Sequence, residues 1–220
     1  MIIIGLLIGG ILKGQELIAN ARVSTTIAQY KGIVAAHNTF KDNYKYPPGD
    51  LPAVIAFARI PNCAAAGCGN GDGNGIVGTP TALMAPLNQR ESLEYWKHLS
   101  LTDLIAGIDP NATTAPANGE VGISNPATSI GGGWNVFVPA ASAQNLAGFG
   151  SSARGIMLSI SAHPNTRGTV VPSSQAARLD RKLDDGMPNT GSVAAEFQNQ
   201  GCDQGNLATH QYIPGDGGFC

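Results

Sequence analysis

The chain has 220 residues, with 13 Lys and Arg against 15 Asp and Glu for a formal net charge of −2. That length suits one sizeable domain with an appendage. The near-neutral charge and the absence of any Lys/Arg-rich run exclude the electrostatic footprint of a nucleic-acid binder.

The opening stretch, Met1 to Leu12, is apolar all round but far shorter than the roughly 20 residues of a membrane-spanning helix. No proline interrupts residues 1–46, and beyond Lys13 the side chains Val23, Ile27, Tyr30, Val34, His37, Phe40 and Tyr44 recur at steps of three and four. The pattern predicts one helix of about 40 residues, ending at Tyr46-Pro47-Pro48-Gly49-Asp50. Its first half is apolar all round and its second is one-sided, which reads as an anchor followed by a packing spine. A signal peptide fits less well, because helix pattern continues over Ala19 to Asn43 where a cleavage site is expected. Gly5, Gly9, Gly10 and Gly14 lower helix propensity by about 1 kcal/mol each relative to Ala, but permit close helix approach in an apolar environment.

After a Pro/Gly-rich connector, Asn88-Gln89-Arg90-Glu91 has the form of a capping box opening a helix with Leu93, Trp96 and Leu99, expected to run to about Ile105. Residues 106–133 read as loop, and Trp134 to Val138 and Ile156 to Ile160 as strands. Ser173 or Ser174 caps a short helix with Ala176, Leu179 and Leu183 on its buried face, stopped at Gly186. Val193 begins a possible last strand, and Cys202 to Cys220 closes the chain as a glycine-rich loop. The sum is α+β, a long N-terminal helix on a small antiparallel sheet with long loops.

Four cysteines allow three connectivities. Cys63 with Cys68 and Cys202 with Cys220 are each close in glycine-rich sequence, so local disulfides and an oxidising compartment fit best. A zinc site is the rival, but neither pair has Cys-x-x-Cys spacing, and His37, His98, His163 and His210 are scattered.

No nucleophile elbow, zinc-protease pair, phosphate loop or dinucleotide fingerprint is present. Asp180, Lys182, Asp184 and Asp185 read either as a carboxylate–lysine site or, preferably, as a solvated helix end. Asn70, Asp72 and Asn74 place oxygen side chains at alternate positions, like the first half of a calcium loop, but the twelfth position is Thr81. Glu91 or Glu94 folding back would complete such a weak calcium site. The alternative is a glycine–asparagine turn stapled by Cys63 and Cys68.

Taken together these stretches resemble a type IV pilin or a pseudopilin of type II secretion. IIGLLIGGILKGQELI at Ile3 to Ile18 is similar to the interior of the prepilin N-terminal helix, and KYPPGDLP at Lys45 to Pro52 to the segment after it. NGDGNG at Asn70 to Gly75, ESLEYWKHLSL at Glu91 to Leu101 and DRKLDDGMPNTGSVAA at Asp180 to Ala195 resemble a bacterial pilin-like subgroup in the same order. The family's cleavage site and the Glu that follows it have no counterpart here, so on this resemblance Met1 to Leu12 is the second half of a longer helix.

The resemblance implies a pilin-like fold and a structural, non-enzymatic subunit of a type IV pilus-like filament, without cofactor. Residues 1–22 become membrane anchor and filament core, with Ile2, Ile3, Ile4, Leu6, Leu7, Ile8, Ile11 and Leu12 as the assembly helix, and residues 23–220 carry the globular part. The implied partners are copies of itself, the bacterial inner membrane that holds the precursor, and the pilus or secretion assembly machinery. The implied location is the inner membrane, then a periplasmic or extracellular filament. Alternatives are a secretion pseudopilin and a membrane-tethered periplasmic binding or adhesion module.

Overall fold

The computed structural model describes residues 2–77, 89–111, 119–137, 156–163, 169–195, 202, 211–213 and 218–220, without the side chains of Ile2, Ile3, Gln89, Arg90 and Phe137. Helix α1 runs unbroken over Ile2–Tyr44, 43 residues, or about 65 Å at 1.5 Å per residue. It ends where the chain cannot continue it. Lys45 turns left-handed at φ 67°, its N–H closes the last turn on the Lys41 carbonyl at 2.8 Å, and Pro47 and Pro48 follow with no N–H to donate.

The buried face of α1 is Val23, Thr26, Ile33, Ala36 and Phe40. Thr26 tolerates full burial because its hydroxyl donates to the Arg22 carbonyl at 3.0 Å. Val34, expected on the buried stripe, is exposed. The face is rotated toward Ile33 and Ala36, which share the core with Tyr95, Trp96 and Leu99 of α4, Gln89–Leu101. Phe40, Leu51, Val77, Trp134 and Val136 complete that core.

The Pro/Gly-rich connector contains two short helices that the sequence reading did not anticipate, α2 over Ala53–Arg59 and α3 over Cys63–Ala66. Helix α4 stops at Leu101 rather than near Ile105. Asp103 is left-handed at φ 57°, and the N–H groups of Asp103 and Leu104 bond the Ser100 and Leu99 carbonyls at 3.0 and 2.9 Å, which caps the helix end. The expected N-cap, Asn88, lies outside the described residues.

Strands β1, Gly133–Phe137, and β2, Met157–Ser161, pair antiparallel with Trp134 opposite Ile160 and Val136 opposite Leu158. Each matches its expected range within a residue at either end, Val138 lying outside the described residues. A long N-terminal helix and a small antiparallel sheet make the layout α+β. Helix α1 approaches α4 and α5 more closely than the strands, and it shares the main core with Trp134 and Val136 of the sheet, the Tyr30 ring centre lying 6.3 Å from that of Trp134.

Helix α5, Ser173–Leu183, packs beside the N-terminal part of this face, where Val23, Ile130 and Val171 form a second core with Ala176 and Leu179. Its most buried positions are Ser173, Ala177 and Asp180, while the expected Ala176, Leu179 and Leu183 are half-buried. Pro172 occupies the cap position and no side chain caps the helix; the Ser173 hydroxyl donates to the Ile213 carbonyl at 2.9 Å. Val193 opens no strand: residues 193–195 are irregular, and the Ser192 and Val193 amides donate to Asp184 instead. The C-terminal residue pairs with the chain entering α5. Cys220 N–H bonds the Val171 carbonyl at 2.7 Å, and its own carbonyl accepts from Val170 and Val171 at 2.9 and 3.0 Å.

Candidate functional site

The first half of α1 stands apart from the body. Ile4, Leu6, Leu7, Ile8, Ile11 and Leu12 are between 54 and 72% exposed, and Leu17 and Ile18 remain exposed one turn further on. Packing begins at Ala19 and Asn20, which are half-buried. Arg178 of α5 donates to the Asn20 side-chain oxygen at 3.1 Å, and Lys182 to the Ser24 hydroxyl at 3.1 Å. The body therefore takes hold of α1 a few residues before the expected boundary at residue 22. Lys13 and Glu16, 2.7 Å apart, make an exposed ion pair on the projecting segment. A Cβ built at Gly9, Gly10 or Gly14 meets no atom within 4 Å, so nothing in the chain's own packing requires glycine there. No helix among the described residues is long and apolar enough to cross a membrane.

At the other end of α1, the Pro47-Pro48-Gly49-Asp50 turn is buried against α4. Gly49 has φ 90°, and a side chain there would run into the Glu91 carbonyl. Its N–H donates to Nδ1 of the buried His98 at 2.8 Å, and His98 Nε2 donates to the Cys68 carbonyl at 2.7 Å. With Nδ1 accepting and Nε2 donating, the ring is neutral. Burial pushes its pKa down to about 4, helped by Lys97 and opposed by the Cys68 bond.

Asp50 holds the glycine-rich loop. One carboxylate oxygen accepts from the Gly73 and Asn74 amides at 2.8 and 3.0 Å, the other from Gly75 at 2.8 Å. Burial, with Asp72 nearby, pushes the Asp50 carboxyl above the usual carboxylate range, while the Gly75 and Gly73 amides act against that. Glu91 and Glu94, offered by the sequence as alternatives, both fold onto the loop. Glu91 accepts from the Asp72 amide at 3.3 Å, and Glu94 from the Asn70 amide at 2.8 Å and from its side-chain NH2. Burial raises Glu94 as well.

The expected calcium set is not brought together as drawn from the sequence. Asn74 gives its side-chain oxygen to the Ile76 amide at 2.7 Å and its NH2 to Asp72 at 2.7 Å, and Asn70 faces Glu94. The oxygens that converge belong to Asp50, Asp72 and Glu91, one from each within 4.8 Å of one another. Those three would suit a hard divalent cation by charge, but Asp50 and Glu91 already bind loop amides.

A second loop is built the same way. Asp180, fully buried, accepts from the Tyr212 hydroxyl at 2.9 Å and the Gly186 amide at 3.1 Å. Asp184 takes the Ser192 and Val193 amides, and Asp185 takes the Met187 amide at 2.8 Å and the Thr190 hydroxyl. Arg181, Lys182 and Asp185 are exposed, as a solvated helix end requires, whereas Asp180 is buried, and Lys182 reaches across to α1 rather than forming a carboxylate–lysine site. The carboxylates fold the segment 184–193. Cysteines 63 and 68 are joined, as are 202 and 220, with Cα separations of 5.1 and 4.8 Å.

Comparison with protein-family models, characterised proteins and solved structures finds no match to this chain.

Proposed function

We propose that this chain is a structural, non-catalytic subunit of a type IV pilus-like filament that polymerises through the N-terminal half of α1. The observation that carries the reading is the division of one helix into an exposed apolar half and a half buried in its own domain. About 1.5–3 kcal/mol is available from burying each large aliphatic side chain, so Ile4 to Leu12 supply a strong drive toward a second apolar surface. The free space at Gly9, Gly10 and Gly14 allows another helix to approach closely. In this reading the segment seats the precursor in the inner membrane and then packs against its copies, while the loop-braced domain faces outward.

The test deletes residues 1–18, ahead of the Asn20 contact. The expected product is a folded, soluble monomer, whereas the full chain gives filaments visible by electron microscopy in a cell that makes the assembly machinery. An unfolded deletion product would assign the segment to a globular core. Full-length chain that remains monomeric in that cell would favour the tethered-module reading.

A further inference from the structure

A cavity of about 550 Å³ lies between the C-terminal turns of α1, the Tyr46-Pro47 turn, Gly73 to Gly75 and the start of β2. That is within the range of small-molecule sites, about 300 to 1,000 Å³. Its basic wall is His37 and Lys41, one turn apart on a face of α1, with Lys45 from the left-handed residue just past the helix end. Its apolar wall comes from Tyr46, Ile156 and Leu158.

The charge on this wall is one-sided. No carboxylate is among the described residues lining the cavity, and neither lysine ammonium has an ion-pair partner among the described residues. Lysines near a helix C-terminus are expected to complement its dipole, but that does not account for the half-open cleft between them and the strand. Nor does it account for the polar pair inside it, the Tyr95 hydroxyl and His37 Nδ1, 3.3 Å apart. The Gly73, Asn74 and Gly75 amides are already committed to Asp50, so recognition of a negative group rests on the lysines.

We propose that this cavity binds a small organic anion, a carboxylate or phosphate carried on an apolar body. The negative group lies between the Lys41 and Lys45 ammoniums, the body rests on Tyr46, Ile156 and Leu158, and His37 with Tyr95 offers hydrogen bonds at the inner end. Burial and Lys41 both hold His37 below the usual histidine range. An anion placed beside it acts in the opposite direction, which makes this ring a local reporter.

The experiment titrates the full chain, in nonionic detergent and with labelled histidine, with 1-naphthoate as probe and follows the ring resonances by NMR. Saturable shifts at His37, a rise in its pKa, and unmoved signals from the buried His98 are expected. The double variant Lys41→Gln, Lys45→Gln should bind about tenfold more weakly or worse, the loss expected for a charge-assisted contact. Lys41→Arg with Lys45→Arg should retain binding, and unchanged His98 resonances will show that either variant is folded. The absence of saturable shifts at His37 would overturn the proposal. Equal affinity for uncharged 1-naphthol would reduce the site to an apolar crevice, and equal affinity for inorganic phosphate would reduce it to a lysine pair, so either result also overturns it.

Discussion

His98 Nδ1 accepts a hydrogen bond from the Gly49 amide at 2.8 Å, tying the proline turn that ends α1 to the helix at the centre of the core. Its other nitrogen holds the Cys63–Cys68 loop through the Cys68 carbonyl. Protonation would set two donors against each other at Gly49. Because the folded pKa is lowered to about 4 from an unfolded value near 6.5, the stabilisation is complete above that unfolded value and is lost as pH falls toward 4. The full loss is about 3 kcal/mol at 1.36 kcal/mol per unit. Asp50, Glu94 and Asp180, all raised by burial, act with opposite sign: they favour the fold in acid and lose that contribution as pH rises through their folded values. His98→Gln should lower the melting temperature at pH 7 and reduce the fall in stability between pH 6.5 and 4, measured by thermal unfolding across pH. An unchanged pH profile in the variant would remove His98 from this role.

Asp50 is the next residue to test. Replacing it by Asn leaves a single oxygen and an NH2 group facing three amide donors, which should cost about 3 kcal/mol. Urea unfolding will measure that. Because the brace is made of N–H bonds, EDTA should leave the wild-type melting temperature within about 1 °C, a shift equivalent to only a few tenths of a kcal/mol. Any calcium effect should need millimolar concentrations and disappear in Asp72→Asn.

Gly9 and Gly10 separate the folding of one chain from its assembly. With nothing within 4 Å of a Cβ at either position, Gly9→Leu and Gly10→Leu should leave the folded domain intact and strengthen α1 by up to about 1 kcal/mol each. Filament yield should fall, since the bulk would hold a neighbouring helix away. Undiminished yield by electron microscopy would show that close approach at these glycines is not used.

The Cys202–Cys220 bond closes a loop with a sequence separation of 18, worth about 3 kcal/mol on the chain-entropy estimate. Cys220 is also paired by backbone to Val170 and Val171. The double variant Cys202→Ser, Cys220→Ser should therefore unfold at lower urea, with the backbone bonds of Val170 and Val171 to residue 220 weakened first as read by hydrogen exchange. Non-reducing peptide mapping should find no Cys63–Cys202 link.

The long helix, its end, both strands and the cysteine pairing were legible because each depends on local signals: periodicity, proline, alternation and spacing. The short helices α2 and α3 were hidden between Pro52, Pro61 and Gly67, where only a few Ala-rich residues mark them. The loop braces were hidden for another reason. Asp50 meets Gly73 to Gly75, and Asp180 meets Tyr212, pairings over intervals that no short motif encodes. The charged character of DRKLDDG suggested exposure, which holds for Arg181, Lys182 and Asp185 but not for Asp180, and the three aspartates also gather amides. The sequence offered Glu91 or Glu94 only as a conditional partner of the glycine loop; both reach it, together with Asp50, which no local pattern marked.

The contacts between α1 and its domain have a mechanical consequence. They begin at Asn20 with Arg178, continue through Ser24 with Lys182, and end with Phe40 stacked 5.5 Å from His98 and with the Arg59 guanidinium 4.9 Å over the Tyr44 ring. From Asn20 to Tyr44 this is about 36 Å of helix. Tension along the axis loads those contacts side by side, in shear, so the helix cannot slide free without breaking many of them together. A sideways pull at the α5 end would instead peel them apart one after another. The chain is thus built to resist stretching along α1 far better than peeling away from it.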